Sequence, residues 1–161
     1  MNEFLRLVKS FGYALRGIGY GIRTQRNLRI HLVALAAVTG FNCIAGLSAI
    51  HWCAEILCCM LVISLELVNT ALEAVCDKIS TKQHPLIGHA KDAAAGAVLV
   101  SAAGSVVVAL LVFFRGGDSY RRNVTAWFAA YPWGKYVFLT GAVLGLVFVF
   151  LPCFLQKRKK K

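Results

Sequence analysis

Residues 93–114 read AAAGAVLVSAAGSVVVALLVFF, a run of small and apolar side chains without a single charge. A helix of this length crosses about 30 Å, which is the thickness of the hydrocarbon core of a bilayer. Two further uncharged runs of similar length occur at residues 32–50 and 136–155. A fourth stretch, residues 52–76, is equally apolar but is interrupted by three glutamates. The sequence therefore predicts four transmembrane helices.

The overall composition agrees with this prediction. Of the 161 residues, 58% are hydrophobic and only 16% are charged, and the mean hydropathy is +0.66. A soluble domain of this size needs more charged side chains to cover its surface. The predicted fold class is an all-α membrane protein, with no separate soluble domain of useful size.

The segment before the first span has the pattern of a helix that lies in the membrane interface. Apolar residues recur at spacings of three and four, with basic residues around them. The apolar positions are Phe4, Leu7, Val8, Phe11, Ala14 and Leu15, and the basic positions are Arg6, Lys9, Arg16 and Arg23. A solvated helix is the alternative, and the position directly before a span disfavours it. The segment lacks the compact apolar region and the cleavage site of a signal peptide.

The distribution of positive charge predicts the orientation. If all four segments span the membrane, 14 of the 18 Lys and Arg residues fall on one side. The other four are Arg115, Arg121, Arg122 and Lys135. The positive-inside rule then places both termini in the cytoplasm. The basic run at residues 157–161 is interpreted as a lipid-surface anchor, so the net charge of +11 requires no nucleic-acid partner.

The most informative stretch for function is ELVNTALEAVCD at residues 66–77. At about 100° per residue, its acidic and amide side chains fall within an arc of roughly 80° on one helix face. These side chains are Glu66, Asn69, Glu73 and Asp77. A carboxylate in a span costs about 2.5 kcal/mol or more, so the stripe must face protein partners, water or a ligand.

Two other interpretations of this stripe remain. The side chains could serve as hydrogen-bonding contacts between helices, although four on one face exceed that need. They could also form a proton or ion pathway, but the stripe is polar only toward its predicted cytoplasmic half. Glu55, near the other end of the same span, is interpreted as an isolated interfacial carboxylate.

A second polar cluster follows a short loop, residues 78–90, and opens the third span with Lys91 and Asp92. The helical hairpin returns this cluster to the cytoplasmic end of the stripe. Carboxylates, an amide and a lysine at one membrane surface are suited to a divalent cation and a phosphate chain. The P-loop motif and the glycine-rich kinase loop with its partner motifs are absent from the sequence, which argues against a soluble nucleotide-binding fold.

Several segments together resemble the prokaryotic diacylglycerol kinase family, which includes the undecaprenol kinases. The resemblance covers about residues 4–111. Its segments are FLR at 4–6 with Lys9, GY at 12–13 with Gly17, RNLRIH at 26–31, ELVNTALE at 66–73 with Asp77, and AKDAAAGAV at 90–98. The stripe followed by Ala-Lys-Asp is the most specific of these features.

The resemblance implies a homotrimer of three-span subunits in the bacterial cytoplasmic membrane that transfers the γ-phosphoryl group of ATP to a lipid alcohol. It implies that Glu66 is the base for the lipid hydroxyl, that Asn69 supports it, and that Glu73 binds the metal, expected to be Mg²⁺. The residues expected to contact the nucleotide are Arg6, Tyr13, Glu73, Asp77, Lys82, His84, Lys91 and Asp92.

The chain departs from the family pattern in two places. Where the family usually has a second metal-binding glutamate before Arg-Asn, this chain has Gln25. An amide oxygen can still coordinate Mg²⁺, but it brings no negative charge, so we expect weaker metal binding. The second departure is the C-terminal extension, so the predicted domains are a kinase-like membrane domain at 1–114 and an added segment at 115–161.

The added segment is predicted to contain an outer loop, an extra transmembrane helix and the basic tail. The interfacial aromatic residues of this loop are Trp127, Tyr131 and Trp133. Gly141 and Gly145 form a GxxxG motif in the extra span, which indicates a close contact between helices.

The sequence thus predicts an ATP- and Mg²⁺-dependent lipid kinase that works at the cytoplasmic face. The segments RNLRIH, His84-Pro85-Leu86 and Ala93-Ala94-Ala95-Gly96 favour undecaprenol over diacylglycerol as the acceptor. Two alternatives are a weakened or non-catalytic member of the family, because of Gln25, and a small transporter that uses the intramembrane carboxylates.

Overall fold

The computed structural model describes residues 2–79, 84–115 and 117–158, which form six helices. These are α1 (Glu3–Thr24), α2 (Arg26–Ala45), α3 (Ala49–Ile79), α4 (Pro85–Arg115), α5 (Gly117–Ala130) and α6 (Gly134–Arg158). Helices α2, α3, α4 and α6 are each long and apolar enough to cross a membrane. The predicted all-α membrane fold, with an N-terminal amphipathic helix and four spans, is confirmed. Residues 159–161 of the basic tail lie outside the described residues.

Helix α1 ends in a bend rather than running on into the first span. Gln25 has an extended backbone (φ −102°, ψ 118°), and its N–H donates to the carbonyl oxygen of Gly21 at 2.8 Å. Gly21 is buried there, and a side chain at this position would collide with its neighbours. A Cβ at this position would lie 2.8 Å from Leu28 Cδ2 and 2.9 Å from Leu67 Cδ2. The last turn of α1 is therefore packed against both α2 and α3.

Helices α3 and α4 form an antiparallel hairpin, the most extensive helix pair of the bundle. Pro85 occupies the first turn of α4, where its missing N–H has no cost. The preceding His84 carbonyl accepts from the N–H groups of Ile87 and Gly88. The connection is shorter than predicted, so Lys91 and Asp92 lie in the second turn of α4 rather than at its start. We call the end of the bundle with these two residues the polar end.

The opposite, distal end carries α5, a helix within the segment that the sequence predicted as an outer loop. The sequence analysis did not predict this helix. Gly46 ends α2 in the left-handed conformation (φ 66°), and the Asn123 side-chain amide of α5 donates to the carbonyl of buried Ala45, the last residue of α2, at 3.0 Å. Buried Tyr120 stacks edge-on against Phe113 of α4. Helix α5 is held to the bundle by these polar and aromatic contacts.

Helix α6 returns antiparallel to α2. A Cβ at Gly145 would lie 2.9 Å from Val33 Cγ1, so the two helices approach as closely as a glycine permits. Nothing lies within 4 Å of a Cβ built at Gly141. One of the two GxxxG glycines therefore makes the predicted close contact, and the other faces open space.

Candidate functional site

The polar stripe of α3 is buried where it is deepest in the span. The Glu66 side chain is only 2% exposed, and Asn69 is also buried. The side-chain amide of Asn69 donates to Glu73 Oε1 at 3.1 Å, one turn farther toward the polar end. The Thr70 hydroxyl is satisfied by the Glu66 carbonyl at 2.8 Å, so it leaves the acidic side chains available for other partners.

These side chains face a cavity of about 330 Å³ between α2, α3 and α4. Glu66, Asn69 and Glu73 line it together, as the sequence predicted. Its other lining residues are Asn27, Ile30 and His31 of α2, and Ala95, Val98, Leu99 and Ala102 of α4. The small side chains of α4 leave the space that the cavity occupies. Three of the four side chains of the stripe therefore line a cleft between these helices, and Asp77 does not.

One polar atom of this cavity lacks a partner. Asn69 Oδ1 is buried and accepts no hydrogen bond from any described residue, whereas the amide nitrogen of the same side chain is bonded to Glu73. A buried polar atom without a partner costs about 1–3 kcal/mol. This geometry is that of a ligand site, because a bound cation or hydroxyl group would satisfy the oxygen.

At the polar end, the Lys91 ammonium of α4 forms an ion pair with Asp77 Oδ1 of α3. Both side chains are partly or largely exposed, and neither lines the cavity. The ion pair places one cation and one carboxylate beyond Glu73 at the polar end.

The remaining predicted residues are not brought into the cavity. On α1, Arg6 pairs with Glu3 at 3.0 Å, and the Arg16 guanidinium lies 4.6 Å from the centre of the Tyr13 ring. His84 and Asp92 are exposed, and Lys82 lies outside the described residues. Gln25 is half-buried at the bend between α1 and α2, also outside the lining of the cavity.

Sequence reasoning missed two cavity residues, Asn27 and His31. Both belong to the quoted RNLRIH segment, but no role was predicted for either residue. Residues four apart share a helix face, so two polar side chains at this spacing at the start of a span are a signal that can be read without the structure.

The donor set suits a hard cation that keeps several water ligands. Among residues 2–79, 84–115 and 117–158, no group of three or more His, Cys, Asp or Glu side chains is placed to hold a metal ion. Glu73 supplies one carboxylate and Asn69 Oδ1 one unpaired amide oxygen. Mg²⁺ commonly takes one or two carboxylates and fills the remaining positions with water and phosphate oxygens. The residues present fit such an ion.

The interpretation of Glu55 as an isolated interfacial carboxylate was wrong. Its side chain is only 3% exposed and accepts a hydrogen bond from the Asn42 amide of α2. Tyr120 of α5 lies nearby. Burial and, to a lesser degree, the Glu55 carboxylate raise the pKa of the Tyr120 phenol, so this hydroxyl stays protonated. Glu55 is therefore bonded to Asn42 of α2 at the distal end, and the Tyr120 hydroxyl is buried near it without a hydrogen-bond partner among the described residues.

Fold and site together define a multi-pass membrane protein with a carboxylate-lined cavity near one membrane surface. The sequence model of the family described as prokaryotic diacylglycerol kinase matches residues 12–113. The chain is 46% identical over 112 residues to the undecaprenol kinase of Bacillus subtilis, covering 70% of this chain and 91% of the relative. It is 33% identical over 110 residues to the diacylglycerol kinase of Escherichia coli, covering 68% of this chain and 87% of the relative.

A diacylglycerol kinase of Synechocystis is 45% identical over 103 residues, which cover 63% of this chain and 59% of the relative. The chain belongs to the prokaryotic diacylglycerol kinase family. It is thus a lipid kinase, that is, an ATP-dependent phosphotransferase, and such kinases generally use a metal ion. The predicted family and enzyme class are confirmed. Helices α5 and α6 lie beyond the matched residues.

Proposed function

We propose that this protein transfers the γ-phosphoryl group of Mg-ATP to the hydroxyl of a membrane lipid alcohol, with undecaprenol preferred over diacylglycerol. The observation that carries the proposal is the cavity in which Glu66, Asn69 and Glu73 face the small side chains of α4. This cavity lies between three membrane-spanning helices. A lipid hydroxyl can reach it from the bilayer, and a phosphate chain can reach it from the aqueous side.

Glu66 is the base in this proposal. It lies deepest along the stripe, about 10 Å from Glu73 along the helix axis. The lipid hydroxyl gives its proton to the Glu66 carboxylate while its oxygen forms the new bond to the γ-phosphorus. The bond from that phosphorus to the β,γ-bridging oxygen breaks, and ADP leaves. Such transfer depends on positioning and on charge neutralisation, both of which the cavity residues supply.

Glu73 would hold the metal, proposed to be Mg²⁺, with Gln25 as a weaker second ligand, and Asn69 would support Glu66. When bound, the ion neutralises the charge of the phosphate oxygens. The hydrogen bond from the Asn69 amide at 3.1 Å fixes the orientation of the Glu73 carboxylate.

Lys91 and Asp77 receive the nucleotide at the polar end, because their ion pair is exposed there and lies beyond the metal ligands. A lysine is a common phosphate ligand and acts as a point charge. Asp92, His84, Lys82, Arg6 and Tyr13 complete the proposed nucleotide contacts. Arg6 and Tyr13 lie on α1, and both are exposed.

The preference for undecaprenol is supported by a second, mainly apolar cavity of about 270 Å³. It shares His31 and Ala102 with the polar cavity and continues toward the distal end between Val38, Val62 and Val106. The trough, whose lining also includes Glu55, has room for the part of one hydrocarbon chain next to a hydroxyl directed at Glu66. Undecaprenol has one such chain, whereas diacylglycerol has two.

The homotrimer is supported by an exposed seam along α3. Its residues follow the alternating spacing of three and four that joins helices in coiled coils. They are Leu57, Leu61, Ser64, Val68, Ala71 and Val75, and all are exposed. Three copies of α3 would pack along this seam. The charge distribution supports cytoplasmic termini in the bacterial inner membrane.

The test is a competition between the two acceptors. Purified protein in vesicles that contain equal amounts of undecaprenol and diacylglycerol receives γ-labelled ATP with Mg²⁺, and the labelled lipids are separated. We expect the label mainly on undecaprenol. Label mainly on diacylglycerol contradicts the acceptor preference, and the absence of label from both lipids contradicts the proposed function.

A further inference from the structure

Arg29 is a buried cation near the start of the first span, and its side chain is only 2% exposed. Its guanidinium reaches two other helices. Nη1 donates to the carbonyl oxygens of Ile22 at 2.8 Å and Arg23 at 3.3 Å, both in the last turn of α1. Nε donates to the carbonyl oxygen of Val149 in α6 at 3.1 Å. A single side chain therefore links α1, α2 and α6.

The acceptors are backbone carbonyls that need outside donors. The last carbonyls of a helix have no partner within the helix, and the helix dipole makes that end negative, so α1 ends in a favourable site for a cation. In α6, Pro152 lacks the N–H that would bond the carbonyl of Phe148, the residue directly before Val149. The guanidinium therefore supplies donors to two terminal carbonyls of α1 and to a carbonyl of α6 in the turn that the proline interrupts.

The position of α6 relative to Arg29 is set by close packing. Val33 of α2 contacts Gly145 of α6, and Arg29, four residues earlier in α2, contacts Val149, four residues later in α6. This is one register of two antiparallel helices. A side chain at position 145 would push α6 away from Val33 and draw the Val149 carbonyl away from Arg29.

Helix α1 depends strongly on this anchor. Its last turn packs at Gly21, whereas its large apolar residues from Phe4 to Tyr20 are exposed to more than 40%. Residues 6 and 22 are about 24 Å apart along the axis. A tilt of about 10° at the anchored end therefore moves Arg6 by roughly 4 Å, more than the length of a hydrogen bond.

We propose that α6 is a brace that fixes the direction of α1 through Arg29, and that this brace sets the affinity for the nucleotide. Arg29 is a positioning residue in this scheme. The inference rests on the proposed function in one respect, because α1 carries Arg6 and Tyr13 to the nucleotide. The brace itself uses a span that lies beyond the residues matched by the family.

Two glycines of α6 provide matched variants. Gly145→Leu introduces a clash with Val33, and Gly141→Leu adds the same side chain to the same helix in open space. We expect Gly145→Leu to raise the KM for ATP roughly 5-fold or more. We expect kcat at saturating ATP and the KM for the acceptor to stay near wild type, because Glu66 and the cavity are untouched. Gly141→Leu should behave as wild type in all three.

A second pair of variants applies if Gly145→Leu does not fold. Gly145→Ala places a methyl group 2.9 Å from Val33 Cγ1, and Val33→Ala removes that atom, leaving the Val33 Cβ at 3.9 Å. The ATP KM should rise in Gly145→Ala and return in the double variant. In an Arg29→Met background, Gly145→Ala should have no further effect, since the link it weakens is already lost.

Equilibrium binding of a fluorescent ATP analogue separates this inference from the proposed function, because it needs no turnover. Weaker binding in Gly145→Leu than in Gly141→Leu supports the brace. Equal binding in the two variants overturns it, as does a loss confined to kcat. If the wild-type protein binds the analogue but labels no lipid, the proposed function is contradicted. The difference in analogue binding between Gly145→Leu and Gly141→Leu still tests whether α6 acts as a brace.

Discussion

The Lys91 ammonium of α4 and the Asp77 carboxylate of α3 form an ion pair that closes the helical hairpin at its polar end. Side-chain exposure is 35% for Lys91 and 70% for Asp77. An exposed ion pair contributes only about 0–1 kcal/mol to stability. The ion pair instead orients the Lys91 ammonium, because it holds this cation beyond Glu73, where we expect the phosphate groups of the nucleotide.

Replacing Lys91 by Met should therefore weaken nucleotide binding without lowering the stability of the fold. We expect the ATP-analogue Kd to rise about 10- to 100-fold, as for the loss of one charge-assisted hydrogen bond. The thermal midpoint in detergent should change little. Asp77→Asn, which removes the partner and keeps Lys91, should also weaken binding. A large loss of thermal stability with unchanged nucleotide affinity would show that the pair is structural.

Glu66→Gln should abolish lipid phosphorylation, because an amide cannot accept the proton of the lipid hydroxyl. Binding of the ATP analogue should persist, since Glu66 is not placed on the nucleotide. The comparison is Glu55→Gln, the same change at a buried glutamate of the same helix, which lines the apolar cavity but not the polar one. We expect this variant to keep kcat and to change at most the KM for the lipid acceptor. Activity retained in Glu66→Gln would refute its role as the base.

Gln25→Glu should strengthen metal binding by restoring a negative charge at the bend between α1 and α2. Affinity for divalent cations increases with the charge of the ligands, so we expect half-maximal activity at about tenfold lower Mg²⁺. A titration of Mg²⁺ at fixed ATP measures this, with Gln25→Met as the control for side-chain size. An unchanged Mg²⁺ requirement in Gln25→Glu would remove this residue from the metal site.

Asn42→Leu should destabilise the distal end. It removes the amide that donates to the buried Glu55 carboxyl group, and a buried polar group that loses its partner costs about 1–3 kcal/mol. The thermal midpoint in detergent should fall. In the double variant Asn42→Leu/Glu55→Leu it should recover in part, because two apolar groups need no hydrogen bond. A double variant less stable than Asn42→Leu would contradict this account.

Much of the site could be predicted from the sequence because its key residues lie on one helix. The spacing of Glu66, Asn69 and Glu73 places them on one face whatever surrounds α3. The contribution of α2 was harder to see. Asn27 and His31 enter the cavity only because α2 packs beside α3, and this packing depends on contacts between residues far apart in the chain.

The helix α5 was missed for a different reason. Its sequence, GDSYRRNVTAWFAA, contains Gly, Asp, Ser, Asn and two β-branched residues, all of which favour helices weakly. The helix is supported by tertiary contacts, above all the Asn123 bond to Ala45 and the packing of Tyr120. Such support overrides local preference and leaves little trace in the local sequence.

The sequence by itself determined the spans, the interfacial character of α1 and the acidic stripe, because hydrophobicity and helical periodicity are properties of neighbouring residues. Only the tertiary structure decided which carboxylates face the cavity and which do not. It showed that Glu55 is bonded to Asn42 and that Arg29 is buried between three helices. A charged residue in a span needs a partner, and that partner is chosen by how the helices pack, not by the residues beside it in the chain.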